Sequence, residues 1–165
     1  MWIMGNPQSE TQEFDKLLLK KGSWLGRGKL LVEGASLGED VQVDLQVSAD
    51  EGGLTLSGQL ERDFSGDVSI RVAPDEVGTY VIDARVGGVA LDGIGKLESE
   101  PNLCLLWNEG QTQNVSVALW ATSGGVGCRG FWHEGGKTRT WEVLFKLKQQ
   151  VLGGDNVVSL ARRRR

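Results

Sequence analysis

The sequence predicts an all-β protein: one closed, antiparallel up-and-down β-barrel of about ten strands, with a short N-terminal helix capping one end. Three observations lead to this fold class. Apolar and polar residues alternate through short segments, turn residues separate nearly all of those segments, and glycine occupies 24 of 165 positions, about twice its usual share of roughly 7%. Regular short strands without intervening helices are typical of antiparallel barrels and sandwiches.

The chain before the first strand carries the one helical pattern. Phe14, Leu17 and Leu18 follow the i, i+3, i+4 spacing of an amphipathic helix. That helix needs an apolar surface to lie on, and the open end of a barrel supplies one. The predicted organisation is a flexible N-terminus at residues 1–8, a capping helix at 9–21, a barrel at 22–150 and a flexible tail containing glycine and arginine at 151–165.

The first strand has an unusual composition, because Trp24 is flanked by glycines in "GSWLGRG". Glycine weakens strands, and in a barrel it often marks sharp curvature or close packing. If Trp24 points into the barrel, Gly26, Gly28 and Leu30 point inward with it. We therefore expect the glycines to leave room around one large indole that closes the end of the barrel.

The following segments continue the period of two. In "DVQVDLQVS" the residues Val41, Val43, Leu45 and Val47 share one face, with polar residues on the other. Gly87–Gly88 predicts a two-residue hairpin turn. The remaining strands are expected at 54–60, 68–72, 80–86, 88–99, 102–108, 113–122, 126–133 and 138–148.

Several strands have one clean apolar face and one polar face, which favours a barrel over the alternative of a two-sheet sandwich. An immunoglobulin-type sandwich has a different cysteine and tryptophan spacing. The spacing of Cys104, Trp107 and Cys128 is too compressed for that pattern.

The motif Gly22-x-Trp24-x-Gly26-x-Gly28, at the start of a ten-strand pattern, resembles the calycin superfamily of lipocalins and fatty-acid-binding-like barrels. It looks most like the nitrobindin-like members. The resemblance implies a barrel around a cavity for a small apolar ligand or haem. Nitrobindin-like barrels bind haem through a histidine on a strand near the C-terminal end. The last strand here has no histidine, and the single His133 lies one strand earlier, beside a turn.

Net charge, the length of apolar runs and the cysteine content limit the partners and the cellular location that the sequence predicts. The net charge is −4, and it would be −8 without the four C-terminal arginines. An acidic body repels phosphate, so no nucleic-acid surface is expected. The apolar runs are too short for a membrane span, and no secretory signal is evident. With Cys104 and Cys128 as its only cysteines, we expect a cytoplasmic monomer or homodimer with free thiols.

The alternation of inward-facing and outward-facing side chains along each strand, together with side-chain size, selects the candidate ligand-binding residues. Large amphipathic aromatic groups are common in ligand cavities. Arg129 is the best candidate to hold a carboxylate, because Arg85 and Arg139 are predicted to face outward. The candidate cavity-lining residues are Trp24, Leu30, Val43, Leu45, Leu56, Ile70, Tyr80, Ile82, Trp107, Leu119, Arg129, Trp141, Val143 and Phe145.

The predicted function is binding of a hydrophobic small molecule, fatty-acid-like or tetrapyrrole-like, to carry or sense it. The inferred interior is almost free of ionisable groups, which acid–base catalysis needs. No catalytic set, metal site or cofactor is predicted, and His133 is the only haem-ligand candidate. One alternative is a calycin-type isomerase, cyclase or lyase that uses Tyr80, His133 or Glu142. Another is a filled barrel that acts as a protein-interaction module.

Overall fold

A computed structural model describes residues 17–61, 66–76 and 78–149. These residues form ten β-strands. Their bounds are β1 Gly22–Val32, β2 Glu39–Asp50, β3 Gly53–Glu61, β4 Gly66–Pro74, β5 Tyr80–Val86, β6 Val89–Lys96, β7 Asn102–Trp107, β8 Gln113–Thr122, β9 Gly125–Glu134 and β10 Lys137–Gln149.

The ten strands close into one antiparallel barrel. Each strand pairs with its neighbours along the chain, and β1 closes the barrel by pairing with β10. The predicted all-β, closed up-and-down barrel is therefore confirmed. The end of the barrel at which β1 begins and β10 finishes is called here the Trp24 end, and the opposite end is the His133 end.

The predicted N-terminal helix is not supported at residues 17–21, the part of it that the structure describes. Residues 17–19 form a bend and the described ranges contain no helix. Residues 9–16, the expected N-terminus at 1–8 and the expected tail at 151–165 lie outside the described residues. The short described segment still contacts the barrel, because Leu17 is only 4% exposed and belongs to its core.

The interior is one apolar cluster built from the alternate residues of every strand. In β2, the side chains of Val41, Leu45 and Val47 are buried, as the alternation predicts. The expected hairpin between β5 and β6 is also present. Gly87 and Gly88 have φ angles of 56° and 87°, which residues other than glycine rarely adopt.

The glycines of β1 serve a different purpose from the predicted one. A Cβ atom on Gly26 would lie 2.6 Å from the Phe145 ring, and one on Gly28 would lie 1.9 Å from the carbonyl oxygen of Glu142. Both contacts are with β10. The glycines therefore allow β1 and β10 to approach closely where the barrel closes, rather than leaving room around Trp24.

An ion pair on the outer wall ties the β2–β3 turn to β4. Asp50 accepts hydrogen bonds from the Arg71 guanidinium at 2.6 and 2.8 Å and from the Gly52 backbone N–H at 2.8 Å. Hydrogen bonding to Arg71 is the main reason that the pKa of Asp50 falls to about 2. A carboxyl whose pKa is lower in the folded chain stabilises the fold above its unfolded pKa, and this contribution disappears as the pH falls through the folded value.

Replacing Asp50 with asparagine is therefore expected to lower the Tm at neutral pH. The difference in Tm from wild type should shrink as the pH falls from the ordinary aspartate value of 3.8 to about 2. Thermal melts followed by circular dichroism across this range test the prediction. Asp92→Asn is the matched control, since Asp92 is exposed on β6 and forms no ion pair with another described residue. A Tm difference for Asp50→Asn that does not change with pH would contradict the assignment.

Candidate functional site

Most of the predicted cavity-lining residues point into the barrel. Trp24 and Tyr80 are buried near the Trp24 end, with exposures of 5% and 1%. The inward-facing candidates are Trp24, Leu30, Val43, Leu45, Leu56, Ile70, Tyr80, Ile82, Leu119, Trp141, Val143 and Phe145.

The structure places two candidates, Trp107 and Arg129, on the outer wall instead. Trp107 does share a face with Leu103 and Leu105, as predicted, but those leucines are about half exposed while Leu106 is buried. Both faces of β7 carry apolar residues, so alternation alone could not decide which face is inside. Arg129 is exposed and its guanidinium donates to Glu142 Oε1 at 2.9 Å.

Arg139 departs from its prediction in the opposite sense. It pairs laterally with the inward-facing Trp132, so it lies on the inner face of β10 at the His133 end. There its side chain is 33% exposed and its guanidinium lies 3.4 Å from Glu134 Oε2. Neither Arg129 nor Arg139 stands free in an apolar interior to receive a carboxylate.

The three residues considered for catalysis are far apart in the barrel. Tyr80 faces inward near the Trp24 end, where its hydroxyl donates to Glu98 Oε1 at 3.1 Å. Glu142 lies on the outer wall with Arg129. His133 is at the opposite end, so these residues do not converge on one reacting centre.

His133 also faces outward. Cys128 is buried and Trp132 packs against the core, so the alternate residue His133 is exposed. Its Nδ1 lies 2.9 Å from the Thr138 hydroxyl oxygen. An imidazole in this position cannot ligate a haem inside the barrel.

The two cysteines are free thiols on inward-facing positions. Burial raises the pKa of Cys104 to about 12 and that of Cys128 to about 11. A nearby thiol, Cys128, adds to the effect at Cys104, whereas a hydrogen bond involving Trp141 opposes it at Cys128. Both side chains are thus protonated near neutral pH and are poor nucleophiles.

A pocket of about 580 Å³ opens at the Trp24 end and is called here the end pocket. It lies between the segment before β1, the β8–β9 turn and the end of β10. Its lining residues are Leu17, Leu18, Lys20, Trp24, Ala121, Gly124, Gly125, Val126, Lys146 and Leu147. Sequence analysis expected Leu17 and Leu18 at this end as part of the capping segment, but it named only Trp24 among the cavity-lining residues. Most of the others lie at strand ends or in connections that converge only when the barrel closes.

A β-bulge lies beside the end pocket. The register of β1 against β10 shifts between Ser23 and Trp24, so one extra residue of β10 is accommodated there. Such bulges are common at barrel rims and beside functional sites. The indole Nε1–H of Trp24 donates to the Lys20 carbonyl oxygen at 2.7 Å, which holds the segment before β1 over part of the opening.

The end pocket combines an apolar lining with positive charge. Leu17, Trp24 and Val126 are buried at its base, while Lys20 and Lys146 are exposed at its edge. Lys146 forms no ion pair with any residue in the described ranges. Its ammonium group is therefore available to an anion beside the apolar surface.

A second depression, the outer groove, lies on the outside of the wall formed by β1, β10, β9, β8 and β7. It has a volume of about 530 Å³ and is lined in part by Leu31, Leu103 and Phe131, with Lys29 and Arg129 along one side. These apolar residues are exposed, and alternation gave no warning of them because exposed and core leucines look alike in a sequence.

Two kinds of feature are absent from the described ranges. No group of three or more histidine, cysteine, aspartate or glutamate side chains is arranged there to hold a metal ion. Within the same ranges, no helix has the length and apolar character needed to cross a bilayer.

Comparison with known proteins identifies no relative of this chain. No protein-family model, curated protein or solved structure matches this chain. The end pocket and the outer wall are therefore the only basis for a functional proposal within the described residues.

Proposed function

We propose that the protein binds a small amphipathic ligand at the end pocket, with an apolar body and an anionic head, as in a fatty acid. The observation that carries the proposal is an apolar pocket of about 580 Å³ with two lysines at its edge. Ligand pockets typically measure roughly 300–1,000 Å³, with mostly apolar walls and a few polar groups that orient the ligand.

Each part of the proposed ligand has a counterpart in the pocket. The apolar chain would contact Leu17, Trp24 and Val126, where burial of apolar surface contributes about 25 cal/mol per Å². The head group would lie toward Lys20 and Lys146, at the solvent edge, where an ion pair adds orientation and a modest free energy. The ligand would thus enter head-last through the Trp24 end.

A fatty-acid-like ligand fits this pocket better than a tetrapyrrole. The only histidine lies at the opposite end of the barrel and faces outward. An iron atom held at the end pocket would need some other axial ligand. The proposal keeps the apolar-ligand function that the calycin resemblance implies, and membership of that superfamily is itself part of what we propose.

Titration with a fluorescent fatty acid, 11-(dansylamino)undecanoic acid, tests the proposal. We expect saturable binding with one site per chain and quenching of tryptophan emission at matching concentrations. Ala121→Phe should weaken binding at least tenfold, a change of about 1.4 kcal/mol, because Ala121 lines the pocket from an exposed position that tolerates a larger side chain. The matched control is Ala90→Phe, at an exposed alanine of β6 remote from the pocket.

Charge reversal separates the contribution of the head group from that of the apolar chain. Lys146→Glu should weaken binding of the fatty-acid probe by about three- to tenfold, as expected for an exposed ion pair that becomes a repulsion. It should leave binding of an uncharged alcohol of equal chain length almost unchanged. Lys137→Glu, at the His133 end, serves as control. Absence of saturable binding, or binding equally strong in Ala121→Phe, would overturn the proposal.

A further inference from the structure

The last residues of β10 extend beyond the point where β9 begins. β9 pairs with β10 only as far as Phe145, whereas β1 stays paired with β10 as far as Gln149. Residues 146–149, called here the β10 overhang, therefore have a strand neighbour on one side only among the described residues. The open side of the overhang borders the end pocket, which Leu147 helps to line.

The backbone of Leu147 faces this open side. The Glu142 carbonyl oxygen would lie 1.9 Å from a Cβ atom on Gly28 of β1, so that carbonyl points toward β1. The Phe145 carbonyl oxygen would lie 2.0 Å from a Cβ atom on Gly125 of β9, so it points toward β9. These backbone directions alternate along a strand. The N–H and C=O of Leu147 consequently point away from β1, past the start of β9 and toward the end pocket.

The side chain of Leu147 also lacks the burial of its neighbours on the inner face of β10. Val143 and Phe145 are each 6% exposed, whereas Leu147 is 38% exposed. On the far side of the opening, a Cβ atom added to Gly124 in the β8–β9 turn would meet no atom within 4 Å. Open space thus lies beside an apolar side chain and a backbone donor and acceptor.

We propose that the β10 overhang binds an extended peptide segment of a partner protein, which adds as a short strand and places an apolar side chain between two acidic ones. The peptide backbone would pair with the N–H and C=O of Leu147, as in other recognition by strand addition. Paired residues point to the same face of a sheet, so the apolar side chain would lie with Leu147 in the end pocket. The acidic side chains would point outward, beside Lys146.

Charge selects an acidic peptide over a second copy of this chain. Lys146 is exposed and forms no ion pair within the described ranges, whereas Lys148 is held by Asp44 at 2.9 Å. An acidic side chain opposite Lys146 would form a favourable cross-strand pair. Two copies joined through this edge would instead bring their lysine-rich overhangs together, and like charges in opposite positions destabilise a sheet. Lysine on a strand edge commonly prevents such self-pairing.

This inference concerns the end pocket but does not rest on the fatty-acid proposal. A fatty acid uses the apolar volume and has no backbone to pair with Leu147, so the two kinds of ligand have separate tests. Both would place apolar groups against the same surface, and we therefore expect them to compete. The overhang spans only about 13 Å at roughly 3.3 Å per residue, so a dissociation constant in the micromolar range is expected rather than a nanomolar one.

Fluorescence anisotropy of the full chain with a fluorescein-labelled, end-blocked peptide of sequence TELET tests the inference. This sequence has the same order of side chains in both directions and so fits either strand orientation. We expect saturable binding with one site per chain. An N-methyl group on the peptide leucine should weaken binding about tenfold, because it removes the donor for the Leu147 carbonyl oxygen. The basic peptide TKLKT should also bind about tenfold more weakly, because its lysines would face Lys146.

Variants of the overhang test the same contact from the protein side. Leu147→Pro removes the backbone donor that points away from β1 and leaves the bonds to β1 in place. It should bind TELET about tenfold more weakly than the matched control Leu147→Val, which keeps the N–H. The fatty-acid probe should bind these two variants equally to within about threefold, since it makes no backbone pair. Lys146→Glu should invert the preference between TELET and TKLKT.

Each contrary outcome has a clear meaning. Failure of TELET to bind saturably, or equal binding of the N-methylated peptide, would overturn the inference and leave the fatty-acid titration to decide the proposed function separately. If circular dichroism shows that Leu147→Pro does not fold, the N-methylated peptide alone decides. A wild-type dimer in sedimentation equilibrium that Leu147→Pro abolishes and Leu147→Val retains would overturn the inference in favour of a second copy.

Discussion

Gly28→Ala should prevent normal closure of the barrel. A methyl group at this position would lie 1.9 Å from the Glu142 carbonyl oxygen and 2.8 Å from the Val143 Cα atom. Both are backbone atoms of the paired strand, so the clash can be relieved only by moving β10 away from β1. Overpacking typically costs about 1–3 kcal/mol, and we expect a value at or above the top of this range, measured by urea denaturation.

Gly124→Ala is the matched control for that experiment. Gly124 lies in the β8–β9 turn, where an added Cβ atom would meet no atom within 4 Å, and its free energy of unfolding should change by less than about 0.5 kcal/mol. Gly26→Ala provides an intermediate case, because its nearest contacts are the side chains of Phe145 and Val143. Its defect should be partly rescued by Phe145→Leu. Wild-type stability in Gly28→Ala would show that the closing strands are not tightly apposed.

Trp24→Ala should reduce the free energy of unfolding by about 3–5 kcal/mol, the usual cost of truncating a buried aromatic side chain. Trp24 is 5% exposed, belongs to the same buried cluster as Leu17, and pairs laterally with Leu45 and Leu147. Its Nε1–H also donates a hydrogen bond to the Lys20 carbonyl oxygen. Loss of the indole therefore removes core packing and releases the segment that lies over the end pocket.

The comparison for Trp24→Ala is an aromatic truncation on the outer wall. Phe131→Ala should cost less than about 1 kcal/mol because Phe131 is 47% exposed. Trp24→Phe should retain most of the packing but lose the hydrogen bond to Lys20, at a cost of about 1 kcal/mol. A urea midpoint for Trp24→Ala equal to that of wild type would show that Trp24 does not support the core.

The strand pattern could be predicted from the sequence because most strands have one apolar and one polar face. This holds for β2, where Val41, Leu45 and Val47 are buried, and it fixes both the element and the side that faces inward. The prediction failed for Trp107 because β7 is apolar on both faces. Arg129 was misplaced because glycines at 127 and 130 leave β9 without a clear alternation.

The candidate site was harder to predict than the fold. Leu17 lies far along the chain from Val126 and Leu147, and the three meet only when the strand ends are brought together. The apolar lining of the outer groove was also hidden, because Leu31, Leu103 and Phe131 come together only through the register of the strands that carry them. Lateral pairing cannot be obtained from the alternation within each strand, since that alternation only excludes shifts of an odd number of residues.

The pairing of β1 with β10 has a consequence for the order of events on the ribosome. Strands β1 to β9 each find a partner among their immediate neighbours, but Leu30 must wait for Trp141. A nascent chain that has not yet released β10 therefore exposes two unpaired strand edges, one on β1 and one on β9, and such edges promote aggregation. Translation speed and chaperone access while β10 is being synthesised should thus govern the yield of native protein more strongly than the same factors acting on the earlier strands.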